Sequence, residues 1–450
     1  TIHNTKNPPC PEGFFIPCLT FVKNTVNLAE LYQVFLSSSG ICTDTRAIKP
    51  NCLFVALKGP NFDGNAFAQE ALDKGAYKVI IDDMRYHKHT GETIFYGNAL
   101  KLLQRLANYH RHQIDATIIG LTGSNGKTTT KELIASVLKQ HYKTEATRGN
   151  LNNHIGVPIT LLSLTDQTQM GVIEMGANHQ GEIAELAAIA DPDYGYITNF
   201  GKAHLEGFGG VEGVIKGKSE LYRHCKRQGS TVIVNGNDDK QMELTQGMER
   251  IVFGDDESDC PVRLLGEDPT LSVEFKGVKM TTRLTGVYNF HNIAAAICLG
   301  DRFGIEPELI RKGIEEYEPR NNRSQWLNKG PYKIFLDAYN ANPSSMVVAI
   351  ENFDRQCPTD RLFVLGDMFE LGEEAAREHQ LIADQVGSLP EAEVWLVGEN
   401  FYNSHGPQHV QRFQTFGDLE NHLGEHTVPA KHIMIKGSRG MALERILDLL

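Results

Sequence analysis

The stretch IIGLTGSNGKTTTKEL, residues Ile118–Leu133, decides the fold at the centre of this 450-residue chain. Apolar residues run into a glycine-rich turn, which Lys127, Thr128 and a helical pattern follow. Gly123 and Gly126 let the backbone curl so that N–H groups face inward, and such groups at a helix N-terminus bind anionic oxygens. Lys127 can then reach the β- and γ-phosphates, while the Thr128 hydroxyl can bind Mg²⁺. The stretch therefore predicts a phosphate-binding loop between a strand and a helix.

The loop departs from the usual phosphate-loop spacing at one position. The pattern G-x-x-x-x-G-K-[ST] places a glycine five positions before the second glycine, and Leu121 stands there instead. An ordinary glycine-rich connection would explain the glycines, although it would not explain Lys127 and Thr128 at the start of the helix. On this stretch alone, both interpretations stay open.

Working outward, the central region alternates strands with helices. Apolar runs at Met170–Gly176, Tyr194–Phe200 and Ser230–Asn237 are typical of buried strands, and helical patterns separate them. This alternation predicts a mainly parallel sheet covered on both faces.

The flanking regions predict two further α/β domains. Strands at Cys52–Gly59 and Tyr77–Asp83 enclose a predicted helix at Asn65–Ala76. Proline and paired asparagines near Tyr317–Trp326 indicate a break, after which the alternation restarts in a Rossmann-like pattern from YKIFLDAYN onward. The fold class is therefore α/β, with an N-terminal domain at 1–112 (1–25 a loose tail), a central parallel-sheet domain at 113–318 and a C-terminal Rossmann-like domain at 319–450.

The composition excludes several functional classes. The formal net charge of −12 gives no general attraction to nucleic acid or to an anionic membrane. No apolar run approaches the roughly 18 residues of a membrane span, and the N-terminal stretch lacks the pattern of a secretory signal. Scattered thiols without a C-x-x-C pair predict a reducing cytoplasm. The close pairs His87/His89 and His110/His112 lack helical ligand spacing, so we expect solvated surface rather than a metal site.

Several motifs then occur in an order that resembles the Mur ligases, which build the peptide of bacterial peptidoglycan. The resemblance covers nearly everything after about Leu28. Its motifs are TGSNGKTTT, RGNLNNHIGVP (Arg148–Pro158), IEMGANHQGEI (Ile173–Ile183), NFGKAHLEGFGG (Asn199–Gly210), DAYNANPSSM (Asp337–Met346), VLGDMFELG (Val364–Gly372) and KGSRGMALE (Lys436–Glu444).

The resemblance implies an ATP-dependent amide ligase that works through an acyl phosphate. YNANPSSM favours the member that joins D-Ala-D-Ala to UDP-MurNAc-tripeptide, and the D-N-P-R signature of the sibling that adds the third amino acid is absent. That sibling activity, and a non-catalytic nucleotide-binding protein, are the alternatives. Small-molecule substrates, a monomer and a cytoplasmic location are the corresponding expectations. Two departures concern the nucleotide site: Tyr288 replaces the usual His of G-x-H-N-x-x-N, and Asn322 precedes Arg323 in place of Gly.

The same resemblance implies which residues bind the substrates. The loop GSNGKTT, Gly123–Thr129, comprises Gly123, Ser124, Asn125, Gly126, Lys127, Thr128 and Thr129. The further ATP contacts are Asn289, Asn292, Arg323, Asp337 and Asn340. The contacts to the two other substrates are Thr43, Asp44, Thr45, Arg46, Asn150, Asn152, Asn153, Lys436, Ser438 and Arg439. Without the resemblance, the TDTR stretch is a simple Asp-containing turn, the asparagines make turns, and the Lys436 cluster caps a helix equally well.

The catalytic and metal-binding expectations are Lys127, His204 and Lys218, with two Mg²⁺ ions on Thr128, Glu174, His204 and Lys218. Lys218 aligns with a lysine that becomes an N-carbamate in related ligases, although a plain surface lysine is the alternative and Lys216 competes for the role. Glu174 ends an apolar strand, where a carboxylate reaches a site at the sheet edge, although a capping or solvated glutamate would also fit. Closure of the last domain over ATP should exclude water, and the segment near Pro319 is the expected hinge.

Overall fold

The computed structural model describes residues 26–319 and 322–450, and these described residues divide into two compact units with the boundary between Ala99 and Leu100. The first unit holds a four-stranded parallel sheet of order β1-β2-β5-β6, together with a short β3–β4 hairpin. The tail predicted at residues 1–25 lies outside the described residues. The elements of this unit are β1 (Ile41–Cys42), β2 (Leu53–Val55), β3 (Lys58–Gly59), β4 (Phe62–Asp63), β5 (Lys78–Ile81), β6 (Thr93–Phe95), α1 (Leu28–Leu36) and α2 (Ala68–Asp73).

The second unit contains the predicted central sheet, which is seven-stranded and wholly parallel, in the order β13-β12-β11-β10-β7-β9-β8. The strands predicted from the three apolar runs are confirmed as β9, β10 and β11. Nearly every residue of these three strands is buried and most are apolar, as expected for a sheet covered on both sides. The strands are β7 (Thr117–Thr122), β8 (Thr144–Ala146), β9 (Met170–Glu174), β10 (Tyr194–Ile197), β11 (Thr231–Asn235), β12 (Arg250–Gly254) and β13 (Cys260–Pro261).

Helices cover the central sheet. Along α4, Leu133, Ile134 and Val137 are fully buried, and the helix packs against α11 and α12. Each such side chain contributes about 1.5–3 kcal/mol on burial, so this face anchors the helix that the phosphate loop begins. The helices are α3 (Ala99–Arg111), α4 (Lys127–Leu138), α5 (Gly156–Leu162), α6 (Glu182–Ala190), α7 (Leu205–Phe208), α8 (Val211–Lys218), α9 (Glu220–Gln228), α10 (Asp239–Leu244), α11 (Phe290–Arg302) and α12 (Pro307–Glu316).

A three-stranded antiparallel sheet follows the central strands, and the sequence analysis did not predict it. Its strands are β14 (Arg263–Glu267), β15 (Leu271–Phe275) and β16 (Val278–Thr281), in the order β14-β15-β16. Leu271, Val273 and Phe275 are buried on alternate positions of β15, which is the pattern of a sheet with one face in the core.

The C-terminal part of the second unit holds a six-stranded sheet of order β17-β18-β22-β19-β20-β21. All its neighbours pair in parallel except β17, which pairs antiparallel with β18 and was not predicted. The α/β fold class is therefore confirmed. The elements are β17 (Gln325–Lys329), β18 (Tyr332–Asp337), β19 (Arg361–Gly366), β20 (Glu393–Val397), β21 (Val410–Phe413), β22 (His432–Lys436), α13 (Pro343–Gln356), α14 (Ala375–Gly387), α15 (Glu399–Tyr402) and α16 (Phe416–Glu425).

One expectation about the histidine pairs is wrong. His110 is 3% exposed rather than solvated, and its Nε2 atom lies 3.0 Å from the carbonyl oxygen of Leu164. Within residues 26–319 and 322–450, no group of three or more His, Cys, Asp or Glu side chains is arranged to hold a metal ion. In the same ranges, no helix combines the length and the apolar character that crossing a bilayer requires.

Candidate nucleotide and ligase site

A cleft of about 1030 Å³ opens in the second unit, between the seven-stranded and the six-stranded sheets. On one side it meets the carboxyl ends of β7 and β9, and on the other those of β18 and β22. All strands of the seven-stranded sheet run in the same direction. The chain places β8 and β9 on one side of β7 and β10 to β13 on the other, so the strand order reverses beside β7. Ligands of open α/β sheets bind at such switch points, outside the carboxyl ends of the strands.

The predicted phosphate loop connects β7 to α4 and lines this cleft. Gly123 (φ 145°) and Gly126 (φ 77°) both adopt backbone conformations that favour glycine. Lys127 Nζ donates to the carbonyl oxygens of Gly123 at 2.7 Å and Ser124 at 3.0 Å. Burial lowers the pKa of Lys127 to about 8, whereas the carboxylate of Glu174 opposes this shift. The loop thus presents one enclosed cation at the start of a helix.

The segment after β10, residues 198–201, fixes the phosphate loop through hydrogen bonds. Thr198 Oγ1 donates to the carbonyl oxygen of Asn125 at 2.6 Å, and Asn125 N–H donates to Asn199 Oδ1 at 3.1 Å. Ser124 Oγ donates to the carbonyl oxygen of Gly201 at 2.7 Å. These contacts fix the backbone curl that the sequence predicted from the glycines.

Glu174 and Thr128 meet at the floor of the cleft. Glu174 ends β9, as predicted, and is 1% exposed, so the solvated alternative is wrong. Thr128 Oγ1 donates to Glu174 Oε2 at 3.0 Å, and Asn152 Nδ2 donates to Oε1 at 2.9 Å. Lys131 Nζ lies 3.8 Å from the same Oε2 atom. A hydroxyl and a single carboxylate suit Mg²⁺, which proteins commonly hold with one or two carboxylates plus substrate phosphates.

Lys218 is fully buried at the end of α8, so the surface-lysine alternative is wrong, while its competitor Lys216 is exposed. Its Nζ donates to the carbonyl oxygen of Ala177 at 3.1 Å and lies 4.9 Å from the centre of the Phe208 ring. Burial lowers the pKa of Lys218 well below its usual range, and the charge of Lys127 lowers it further. This environment favours the neutral amine.

His204 lies in the wall of the cleft, just before the short helix α7. Its Nδ1 atom contacts the carboxylate of Glu370, and this hydrogen bond holds the pKa of Glu370 below its usual value. A carboxylate on one ring nitrogen is the arrangement that orients a histidine for metal binding through the other.

Asn289 and Asn292 lie where α11 begins, and they fix a turn against the phosphate-loop helix. Asn292 Nδ2 donates to Asn289 Oδ1 at 2.9 Å, while Asn292 Oδ1 accepts from Thr130 Oγ1 at 2.9 Å. Asn289 Nδ2 donates to the carbonyl oxygen of Thr285 at 2.8 Å. Tyr288, the departure from the family motif, lines the cleft beside them.

The opposite wall comes from the C-terminal part. The Arg323 guanidinium lies 3.6 Å from the centre of the Tyr339 ring, and its Nε atom is buried without a hydrogen-bond partner. Lys436 Nζ donates to Asp337 Oδ2 at 2.5 Å and to the carbonyl oxygen of Asn340 at 3.3 Å. Positive and negative groups therefore alternate along this wall.

Most of the predicted residues of the second unit line the cleft, but some do not. Lys218 and Ser438 are buried behind it, and the Arg439 guanidinium is paired with Glu444 at 2.9 Å. Asn153 Oδ1 accepts from the backbone of Gly156 at 2.9 Å, which is the turn-making role of the alternative interpretation. The residues found in the lining are Ser124, Asn125, Gly126, Lys127, Thr128, Thr129, Asn150, Asn152, Asn153, Glu174, His204, Asn289, Asn292, Arg323, Asp337, Asn340 and Lys436.

In the first unit, the TDTR stretch forms a compact turn. Asp44 caps the 3₁₀ turn Thr45–Ala47 by accepting from Arg46 N–H at 2.9 Å, and the Arg46 guanidinium pairs with the same carboxylate at 2.7 Å. The turn is polar and half-buried except for the exposed Arg46, and its geometry fits the simple Asp-containing turn as well as a ligand contact.

Sequence reasoning missed several lining residues that lie in quoted motifs. Asn342 Nδ2 donates to Asn125 Oδ1 at 2.7 Å, and Ser344 Oγ accepts from Lys202 N–H at 2.8 Å. Asn342 also caps α13, in a capping box with Ser345. The signal was the N-P-S-S start of a helix, a typical capping pattern. The contact of Asn342 with Asn125 joins the phosphate loop directly to the C-terminal part.

The chain belongs to the Mur ligase family, because family models match most of its length. These are the Mur ligase catalytic domain at residues 37–111, the middle domain at 121–300 and the glutamate ligase domain at 322–439. Among its relatives is the UDP-N-acetylmuramoyl-tripeptide–D-alanyl-D-alanine ligase of Bacillus subtilis, 31% identical over 95% of this chain and 98% of that protein. The ligase of the same name from Synechocystis is 37% identical over a region that covers 84% of this chain and 81% of the Synechocystis protein.

Solved structures agree with this assignment. MurF of Acinetobacter baumannii superposes with a TM-score of 0.82 at 32% identity, covering 94% of this chain and 98% of that one. MurF of Thermotoga maritima, solved in complex with ADP, superposes with a TM-score of 0.81 at 25% identity, covering 92% and 97%. The resemblance drawn from the motifs is therefore confirmed at the level of the family and its fold.

Proposed function

We propose that this chain is an ATP-dependent ligase that joins D-Ala-D-Ala to UDP-MurNAc-tripeptide in peptidoglycan precursor synthesis. The observation that carries the proposal is the phosphate loop, with Lys127 and Thr128 facing the buried carboxylate of Glu174 in one cleft. The relatives that match nearly the whole chain bear the name of this activity. The ADP complex of the Thermotoga maritima structure supports ATP as the nucleotide.

The reaction needs two successive displacements. The terminal carboxylate of the tripeptide attacks the γ-phosphorus of ATP, forming an acyl phosphate and releasing ADP. The amine of D-Ala-D-Ala then attacks the acyl carbon, forms the amide, loses a proton and displaces phosphate. The first step brings two anions together, so positioning and charge neutralisation provide most of the catalysis. Lys127 supplies a fixed positive charge for the phosphates, and the curled backbone of Gly123–Gly126 supplies N–H donors.

Magnesium fits the donor set at Glu174. Thr128 and Glu174 would hold one ion, and His204 with a modified Lys218 would hold a second. When bound, such ions neutralise phosphate charge and orient the transferred group. The chain's part is to hold the ligands ready: Asn152 fixes one oxygen of Glu174, and Glu370 orients the His204 ring.

We propose that Lys218 carries a carbamate. Its neutral amine would attack CO₂, forming a C–N bond as one C=O π bond opens, and would lose one proton to solvent. The neutral amine thereby becomes an anionic carbamate able to bind a metal ion. The burial of Lys218, and the resulting low pKa of its ammonium, supply the neutral nucleophile that this step needs.

The remaining substrate contacts are proposals that follow the family pattern. Asn289 and Asn292 would contact the adenine, Asp337 and Asn340 the ribose, and Arg323 the phosphates. The turn containing Thr43, Asp44, Thr45 and Arg46 would bind the UDP end, while Asn150, Asn152 and Asn153 would contact the sugar and peptide. Lys436, Ser438 and Arg439 would hold the carboxylate of D-Ala-D-Ala, and Arg439 would have to leave Glu444 to do so. We further propose a cytoplasmic monomer.

Phosphate release tests the function directly. Purified protein with Mg²⁺ and ATP should release phosphate only when UDP-MurNAc-tripeptide and D-Ala-D-Ala are both present, and omission of either should abolish turnover. Release with a single amino acid and the shorter UDP-MurNAc-dipeptide would instead indicate the sibling that adds the third residue. If ATP binds but every ligase substrate leaves ADP unformed, the chain is a non-catalytic nucleotide-binding protein.

A further inference from the structure

The turn that we propose to hold the adenine, Gly286–Asn289, contacts the antiparallel sheet at its start and the C-terminal part near its end. Gly286 N–H donates to the carboxylate of Glu267, at the end of β14. Tyr288 hydroxyl lies 3.1 Å from the hydroxyl of Ser324, just before β17. The sheet that sequence reasoning missed thus lies against the nucleotide site.

Glu267 also joins the antiparallel sheet to α13. Its Oε2 atom accepts from the Arg355 guanidinium and its Oε1 atom from Gln356 Nε2 at 2.7 Å. The Glu267 side chain is only 7% exposed, so its charge depends on these partners for stabilisation. One buried carboxylate therefore holds the adenine turn and the last turn of α13 together.

Tyr288 makes a second bridge, which leads to the proposed ribose contact. Ser324 N–H donates to Asp337 Oδ1 at 3.0 Å, and Asp337 also accepts from Lys436 Nζ. The path from Tyr288 through Ser324 to Asp337 crosses from the seven-stranded to the six-stranded half of the cleft. Phenylalanine at position 288 would lack the hydroxyl that makes this path.

We propose that Glu267 and Tyr288 are positioning residues that align the adenine-binding and ribose-binding walls of the cleft before ATP arrives. The nucleoside contacts lie on two halves of the second unit. ATP binds well only when the adenine-binding wall and the ribose-binding wall are correctly placed relative to each other. A ligand's apparent affinity falls in proportion to the population of the competent arrangement, so bridges that raise this population tighten binding. This proposal rests on the proposed function for its assignment of the adenine and ribose contacts.

The test compares nucleotide binding by four variants, Glu267→Gln, Arg355→Met, the double variant and Tyr288→Phe. Isothermal titration with AMP-PNP and Mg²⁺ should show affinity about tenfold weaker in each, as expected for a lost hydrogen bond to a charged or buried group. The double variant should bind no more weakly than the weaker single variant, because both changes break one contact. Turnover at saturating ATP should change less than the KM for ATP.

A matched control comes from the same antiparallel sheet. Arg263 pairs with Glu274 at 3.6 Å across β14 and β15 and with Asp256 at 3.5 Å, so Arg263→Met removes arginine ion pairs of the same sheet without touching the adenine turn. Its AMP-PNP affinity should equal that of the unmodified protein. Hydrogen–deuterium exchange should show nucleotide-dependent protection of residues 343–356 that the Arg263 variant keeps and the Glu267 variant loses.

The outcomes separate the two proposals. If the unmodified protein does not bind AMP-PNP, the proposed function fails before any variant is compared. If it binds, and the Glu267, Arg355 and Tyr288 variants match the Arg263 control in affinity and protection, the alignment role is overturned. Should Glu267→Gln fail to fold, Tyr288→Phe, which removes one hydroxyl, decides the question by the same measurements.

Discussion

Lys218 is the residue whose chemistry depends most on its surroundings. Sequence reasoning left it undecided between a metal-binding carbamate and a surface lysine, because spacing along a helix does not reveal burial. The structure places Lys218 inside and leaves Lys216, two residues away, exposed. A neutral buried amine is reactive toward CO₂, whereas an exposed ammonium is not.

We therefore predict that Lys218→Ala loses ligase turnover by at least about a hundredfold, since losing a metal ligand should exceed the roughly 10–100-fold cost of losing an outer partner. Formate or acetate should restore part of the turnover by placing a carboxylate in the space left. Lys216→Ala is the matched control and should retain full activity. Phosphate release measures all three, and an absence of rescue together with normal activity in Lys218→Ala would exclude the carbamate.

A second residue-scale prediction concerns His110, whose burial lowers its pKa below the usual value for a histidine. As pH falls below about 6.5, the unfolded chain takes up a proton at this imidazole before the folded chain does, so stability is lost with falling pH. His110→Gln, which can still donate to the Leu164 carbonyl, should lose less stability between pH 7.5 and 5.5. Urea midpoints at both pH values measure this, with the exposed His89→Gln as control. An equal loss of stability between the two pH values in the His110 variant and in the unmodified protein would contradict this prediction.

At the scale of elements, the sequence predicted the phosphate loop from Lys127 and Thr128 at the start of a helix, because an ordinary glycine-rich connection does not explain those two residues. Glu174 was also predictable, since the apolar run of β9 ends on it. The antiparallel sheet was missed although Lys276-Gly277, both with positive φ, mark a two-residue hairpin between β15 and β16. The residues of the C-terminal wall could not be predicted from the local sequence pattern. Tyr339 and Asn342 line the cleft only because the two sheets pack together.

The phosphate loop also makes a prediction about Gly123. A Cβ atom there would lie 1.9 Å from Thr198 Oγ1, and φ is 145°. Gly123→Ala should therefore destabilise the protein by about 1–3 kcal/mol from the clash alone and displace the loop, abolishing nucleotide binding. Gly229→Ala is the control, because its φ is 75° but nothing lies within 4 Å. It should cost about 1–2 kcal/mol and leave AMP-PNP affinity unchanged. Urea unfolding and titration separate the two effects, and normal nucleotide binding by Gly123→Ala would contradict this account.

At the scale of the whole molecule, the nucleotide site is assembled from two sheets joined by the segment between α12 and β17. Composition and alternation predicted both sheets, but they carried no information on how one meets the other. The contacts of Asn342 with Asn125 and of Ser344 with Lys202 are long-range in sequence, and only the folded chain reveals them.

We predict that the chain compacts when its substrates bind, with the segment near Pro319 as the hinge. Closure would exclude water from the acyl phosphate, which water otherwise hydrolyses. Small-angle scattering should show a smaller radius of gyration with AMP-PNP, Mg²⁺ and UDP-MurNAc-tripeptide together than without them. The Lys127→Ala variant, which should bind the nucleotide poorly, provides the control. An unchanged radius in the unmodified protein would count against closure.

The strand order of the seven-stranded sheet has a consequence for synthesis on the ribosome. β7 is synthesised before its neighbours β9 and β10, which do not end until Glu174 and Ile197. The backbone N–H and C=O groups along its two edges therefore stay unpaired for several seconds at roughly 5–20 residues per second. Nascent chains arrested before Ile197 should accordingly be cleaved within α4 by added protease, whereas chains released beyond Gly254 should resist. The catalytic centre therefore forms only after β9 and β10 have been synthesised. Chaperones that bind unpaired strands can act during the interval before that.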